Sequence, residues 1–171
     1  IGFHSISLEI GSLSEDDAKI LANAGAEGFT LYQETYHKET YDRVHLAGLK
    51  KNYSFRLNAH VRAFRAGFKR IGVGFLAGLY EPRFEILALH QHIAYLKKNF
   101  WDKEITLSIP RITKAVGINE KLYFIDDKLF ARMLMVLRLA FPDIPILMST
   151  RETKEFRDGM ANICVTNVSV M

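Results

Sequence analysis

Apolar and polar residues alternate at the start of the chain, with Ile6, Leu8 and Ile10 set against Ser5, Ser7 and Glu9, which predicts a strand over residues 4–10. Ser14, with Asp17 three positions on, predicts the cap of a helix over 15–24 that stops at Gly25. The aromatic and β-branched run Phe29-Thr30-Leu31-Tyr32 predicts a buried strand over 29–33, and its exit turns polar at once with Gln33 and Glu34. Helical spacing resumes over 53–66 and ends at Gly67, followed by a strand over 70–75. Gly72 and Gly74 in that strand, and Gly78 at its exit, mark backbone that something approaches closely, either a packed neighbour or a flat ligand.

Pro82 suits the first turn of the next helix, whose stripe of Ile86, Leu89, Ile93, Leu96 and Phe100 recurs at helical spacing and reads as core. A strand over 104–109 is closed by Pro110 and Arg111, and Asp126 caps a helix with the apolar face Phe130, Met133, Leu137 and Phe141. A strand over 144–149 ends in Ser149, Thr150 and Arg151; a helix over 154–161 and a strand over 163–168 complete the pattern. Strands alternating with helices in this way predict an α/β fold with a parallel sheet in one domain over 1–171. Six strands fit an incomplete (βα) barrel of TIM type, and they also fit an open doubly wound sheet. Neither the dinucleotide nor the P-loop glycine fingerprint follows any strand, while polar residues recur at strand exits, which favours the barrel.

Composition narrows the functional classes. With 49% hydrophobic and 25% charged residues the chain has material for a substantial core, and its net charge of +4 has no basic block interleaved with aromatics, so nucleic acid is not an expected partner. No apolar run reaches the length of a membrane span, and no signal peptide pattern precedes the first strand. Cys164 is the single cysteine, which excludes an internal disulfide and fits a reducing, cytoplasmic setting. His90 and His92 are two apart on a helix and point in different directions, so no metal pair is expected there; His37, His45 and His60 read as surface or loop residues. Both ends of the sequence look cut from something longer.

The order QETYH (33–37), then FRL (55–57), IGVGFLAGLYEPRFE (71–85), SIPRI (108–112), STRE (149–152) and TNVS (166–169) resembles the aromatic amino acid lyases of the radical S-adenosylmethionine superfamily. The likeness is nearest to the branch that cleaves tyrosine in thiamine biosynthesis, with the tyrosine lyase of iron hydrogenase maturation a near second. The resemblance implies that Glu34 and Arg56 hold polar groups of S-adenosylmethionine and that Gly72, Gly74 and Gly78 offer backbone to its adenine. It implies likewise that Ser149 and Arg151 grip the carboxylate of the tyrosine substrate, with Arg111 lining the same cavity. Cleavage at Cα–Cβ then gives dehydroglycine and p-cresol, and the cofactors carry the radical step.

The same resemblance implies a 4Fe-4S cluster held by a CxxxCxxC loop, which this sequence lacks, since it has only Cys164. The chain therefore reads as the C-terminal three-quarters of the barrel, inactive alone, with the N-terminal part missing and open sheet edges available for self-association. Two other classes stand beside it. One is a non-radical metabolic barrel enzyme, marked by a strand-tip lysine or phosphate cradle; the other is a non-catalytic assembly partner that keeps only the half-site. Bland roles compete for single residues: Glu34 as a helix cap, Arg56 in a surface ion pair, Arg151 as a helix start, and Tyr32, Tyr36 and Phe75 as packing.

Overall fold

The computed structural model describes residues 4–112 and 122–169. In chain order it contains β1 (Ser7–Glu9), α1 (Glu15–Asn23), β2 (Gly28–Thr30), α2 (Lys38–Val44), a 3-10 turn (Leu49–Lys51), α3 (Tyr53–Leu57), α4 (Ala59–Ala66) and β3 (Arg70–Gly74). It continues with α5 (Pro82–Asn99), β4 (Glu104–Ser108), α6 (Asp127–Ala140), β5 (Leu147–Met148), α7 (Lys154–Ala161) and β6 (Asn167–Val168). Every strand pair is parallel, and the hydrogen-bonded order is β1-β2-β3-β4 with β5-β6 as a second ladder. The order follows the sequence without reversal. Among the described residues the two ladders meet through one bridge, Leu107 with Ile146.

The helices start where the sequence supplies oxygen acceptors. Ser14, Asn52, Asp126 and Thr153 each accept a backbone N–H of the first turn, and Glu81 does so ahead of Pro82. Asn58 breaks the predicted helix over 53–66 into α3 and α4, and α2 forms in a stretch where no helix was expected. Strands are shorter than the hydrophobic runs that mark them: β5 keeps two residues of a predicted six, and Cys164 lies ahead of β6 rather than within it.

One face of the sheet is apolar and helix-covered. Ile71, Val73, Ile105 and Leu107 pack against Phe64, Leu89, Ile93, Leu96 and the α6 residues Phe130, Met133, Leu134 and Leu137, while Phe29 and Leu31 meet Ala18, Ala59, Ala63 and Phe68. The opposite face alternates with it. Register places Ser7 and Glu9, Gly28 and Thr30, Arg70, Gly72 and Gly74, and Glu104, Thr106 and Ser108 on that second side, with Tyr32 next after Thr30. Parallel sheets buried on both faces carry near-continuous apolar runs. This one is polar on its second face, as a wall lining a site would be.

Small residues on that face are required by their neighbours. A Cβ on Gly72 would press on the Thr30 side chain, and one on Gly74 would overlap the Ser108 carbonyl and meet the Tyr32 ring. Gly78 has φ of +120°, which favours glycine, and its carbonyl accepts the Tyr123 N–H at 2.8 Å. At these glycines close approach comes at least from neighbours within the chain. The start of β1 departs from its predicted alternation, because Ile6 and Ile10 are exposed on the free edge of the sheet while Leu8 packs inward.

Candidate functional site

The C-terminal ends of the strands carry the charged residues. Glu34, just past β2, has φ of +73°, the left-handed region that a non-glycine residue occupies at a cost of about 1–2 kcal/mol. Its neighbours hold it there. Leu76 donates its N–H to the Glu34 carbonyl at 2.8 Å, and Gln33 donates to the Gly74 carbonyl at 2.9 Å, extending the β2–β3 ladder beyond the regular strand. Arg56 is buried in α3, donates Nε to the Tyr32 carbonyl at 2.8 Å and places Nη2 3.0 Å from Glu34 Oε1. Lys50 approaches the same oxygen at 3.4 Å. The structure therefore brings Glu34 and Arg56 together, and the cations gather on Oε1.

A buried carboxylate supports this turn from α5. Glu85 is 1% exposed, accepts the Thr35 hydroxyl on one oxygen and the Tyr36 N–H at 2.9 Å on the other. Burial raises its pKa to about 7, against the opposing pull of the Thr35, Tyr36 and His37 donors. Behind it, the Tyr36 hydroxyl shares a 2.8 Å hydrogen bond with His92 Nδ1, and His60 Nε2 donates to the Gly72 carbonyl at 3.1 Å. His60 is 2% exposed, which corrects its reading as a surface or loop residue: α4 turns it inward beneath Phe29. Burial lowers His60 to about 3, with His92 adding to the shift, and burial lowers His92 to about 4, so both are neutral imidazoles. The burial of Glu85, His60 and His92 escaped the sequence reading, because nothing in the helical period distinguishes a buried ionisable residue from a solvated one. The only sequence signal was their place on otherwise apolar stripes.

Arg111 lies past β4 and is committed to the protein. Nε donates to the Glu152 carboxylate at 3.1 Å, Nη2 pairs with the same group, and Nη1 reaches Asp127 at 2.7 Å and the Ile125 carbonyl at 3.1 Å. Its guanidinium also lies 4.7 Å from the Phe130 ring centre. The carboxylate hydrogen bonds of Glu152 and Asp127 raise its pKa further. Arg111 thus fastens the β4 exit to the starts of α6 and α7.

Ser149 and Arg151 stand past β5. The Ser149 hydroxyl accepts the Arg151 N–H at 3.2 Å, while the Arg151 side chain is exposed. Its charge reaches the Tyr32 hydroxyl, which lies beside the Ser108 side chain and also feels Glu9; burial is the main cause of that phenol's raised pKa. The N-terminal end of the same face is closed by Arg70, 3.6 Å from Glu104 and 3.7 Å from Glu27. Among the described residues no group of His, Cys, Asp and Glu is arranged to hold a metal ion, and Cys164 is buried with burial raising its thiol pKa. The residues present therefore do not fit an iron–sulfur cluster.

A sequential parallel sheet with helices on one side and polar strand exits on the other defines an α/β protein, and its solved neighbours are barrel-type enzymes. Residues 108–171 match the family described as the Biotin and Thiamin Synthesis associated domain. Over 168 residues, 98% of its length, the chain is 34% identical to the 2-iminoacetate synthase of Escherichia coli (strain K12) and 33% identical to that of Salmonella typhimurium. It spans 45% of each of those proteins. Two crystal structures of HydG, a maturase of the [FeFe]-hydrogenase, superpose with TM-scores of 0.91 and 0.93 at 32% and 36% identity, the second from Carboxydothermus hydrogenoformans; each match covers 98% of this chain and 38% or 39% of the other. Methylornithine synthase (PylB), at 20% identity and a TM-score of 0.71, shares the fold. The chain is thus similar, over nearly its whole length, to 2-iminoacetate synthases and to the HydG maturases.

Proposed function

We propose that the chain is the C-terminal three-quarters of a barrel belonging to a radical S-adenosylmethionine tyrosine lyase, which cleaves tyrosine at Cα–Cβ to dehydroglycine and p-cresol for the thiazole of thiamine. The observation that carries this reading is the 34% identity to a 2-iminoacetate synthase over 98% of the chain. Glu34 Oε2 and Arg56 hold polar groups of S-adenosylmethionine, and the backbone of Gly72, Gly74 and Gly78 borders its adenine. Ser149 and Arg151 take the carboxylate of tyrosine, a geometry suited to a guanidinium. Arg111, spent on Glu152 and Asp127, acts by holding the start of α7 and with it the Arg151 turn.

When bound, the cofactors supply the hydrogen-abstracting radical; this chain positions the substrate and excludes water from it. The cluster ligands come from outside these residues, and the chain alone is inactive. The HydG structures, as near in identity, favour the hydrogenase-maturation branch as a second reading that keeps tyrosine as substrate. The test is anaerobic reconstitution of the full natural protein with iron and sulfide, followed by assay of p-cresol and deoxyadenosine from tyrosine and S-adenosylmethionine. Both products are expected; absence of both with an intact cluster overturns the proposal.

A further inference from the structure

Most charged side chains around the strand ends already have protein partners. Glu34 is held by Arg56 and Lys50, Arg111 by Glu152 and Asp127, and Arg70 by Glu27 and Glu104. Two do not. Among the described residues, neither the Glu9 carboxylate nor the Arg151 guanidinium makes an ion pair or a side-chain hydrogen bond. Their charges are opposite; Glu9 belongs to the uncovered polar face, and Arg151 stands exposed just past β5.

Register fixes where Glu9 stands. It pairs with Thr30 across β1 and β2, so its side chain shares a face with Thr30, and the next residue of β2 on that face is Tyr32. Leu8, pointing the other way, packs with the apolar cluster beneath α1, which pins the strand against the one-residue slip that would exchange the two faces. Arg151 comes from the opposite side of the sheet, and its backbone is held by the Ser149 hydroxyl. Tyr32, on the strand next to Glu9, is coupled to both. Its hydroxyl senses both charges, in opposite directions.

An anion and a cation that act on one phenol from different strands without neutralising each other match a ligand carrying both charges on adjacent groups. An α-amino acid has that form. We propose that Glu9 binds the α-ammonium group of the amino acid substrate while Arg151 binds its carboxylate, with Tyr32 and the glycine-lined strand β3 as the floor beneath. This rests on the proposed tyrosine substrate and adds the group that reads its ammonium. Glu9 is a binding residue that selects amino acids over their deaminated analogues, since a carboxylate left without its cation disfavours the analogue.

Equilibrium binding to the full natural protein tests it, with three probes: L-tyrosine, 3-(4-hydroxyphenyl)propionate, which lacks the ammonium, and tyramine, which lacks the carboxylate. Glu9→Gln is expected to weaken tyrosine and tyramine by about 10- to 100-fold, the range of one charge-assisted hydrogen bond, and to leave the propionate unchanged. Glu9→Asp retains part of the tyrosine affinity. Arg151→Gln shows the mirror pattern, weakening tyrosine and the propionate but not tyramine. Unchanged tyrosine binding in E9Q, or equal weakening of all three probes, overturns the ammonium role alone. If the unaltered protein binds no tyrosine, the proposed substrate falls and this inference with it.

Discussion

Arg56 grips the β2 exit at two points: its Nε donates to the Tyr32 carbonyl at 2.8 Å while Nη2 lies 3.0 Å from Glu34 Oε1. One buried side chain thereby fixes both the backbone before the turn and the carboxylate after it. Arg56→Ala is expected to lower stability by about 3 kcal/mol, because it leaves the Tyr32 carbonyl without its donor and a partly buried carboxylate with only the more distant Lys50. Arg56→Lys recovers little of this, having one charge centre where two directed donors are needed. Urea unfolding of the full natural protein measures both.

Glu34 supplies a backbone test separable from its charge. Both Glu34→Ala and Glu34→Gly remove the ion pair with Arg56, yet only glycine accepts φ of +73° without strain. The glycine variant is expected to be the more stable of the two by about 1 kcal/mol, read from the urea midpoints at constant m-value.

The buried ionisable residues give opposing pH dependences. His60 and His92, lowered to about 3 and about 4 from 6.5, lend stability that is full above pH 6.5 and lost as pH falls toward those values. Glu85, raised from 4.5 to about 7, lends stability that is full below pH 4.5 and lost as pH rises through 7. Each group contributes a slope of about 1.4 kcal/mol per pH unit within its window. Between pH 4.5 and 6.5 the two histidines outweigh the single carboxyl. Stability should therefore rise with pH there, more steeply in Glu85→Gln and less steeply in His92→Gln, as denaturant titrations at several pH values will show.

Gly74 tests the seam between β3 and β4. An alanine methyl would overlap the Ser108 carbonyl, which belongs to the ladder and has little freedom to move. Gly74→Ala is expected to destabilise the protein by about 3 kcal/mol, at the upper end of overpacking effects. Gly159, whose added Cβ meets nothing within 4 Å, is the control expected to tolerate alanine.

How far the sequence foretold this structure differs by element. Capped, strongly periodic segments were legible: α7 runs over the predicted residues, and the Asp126 cap and the face of Phe130, Met133, Leu137 and Phe141 are as read. The predicted helix over 53–66 is interrupted because Asn58 leaves helical geometry, a tertiary choice that the 3.6-residue period does not record. At the site, Glu34 and Arg56 were legible as a pair at one mouth, and their distance bears that out. Arg111 was legible as a strand-exit residue, whereas its partners Glu152 and Asp127 were not, because they come from other strand–helix units. The buried state of Glu85 and His60 depends on which helix face turns inward, and polar residue types conceal it.

The single Leu107–Ile146 bridge between the two ladders has a consequence for selectivity. Glu9 rides on one ladder and Arg151 follows the other, and beyond the apolar core that the ladders share, the joint consists of that bridge and the Arg111–Glu152 clasp at its rim. On the proposed binding of one substrate by both residues, slackening that clasp is expected to widen the opening, and a substitution there is expected to change which side chain sizes are admitted.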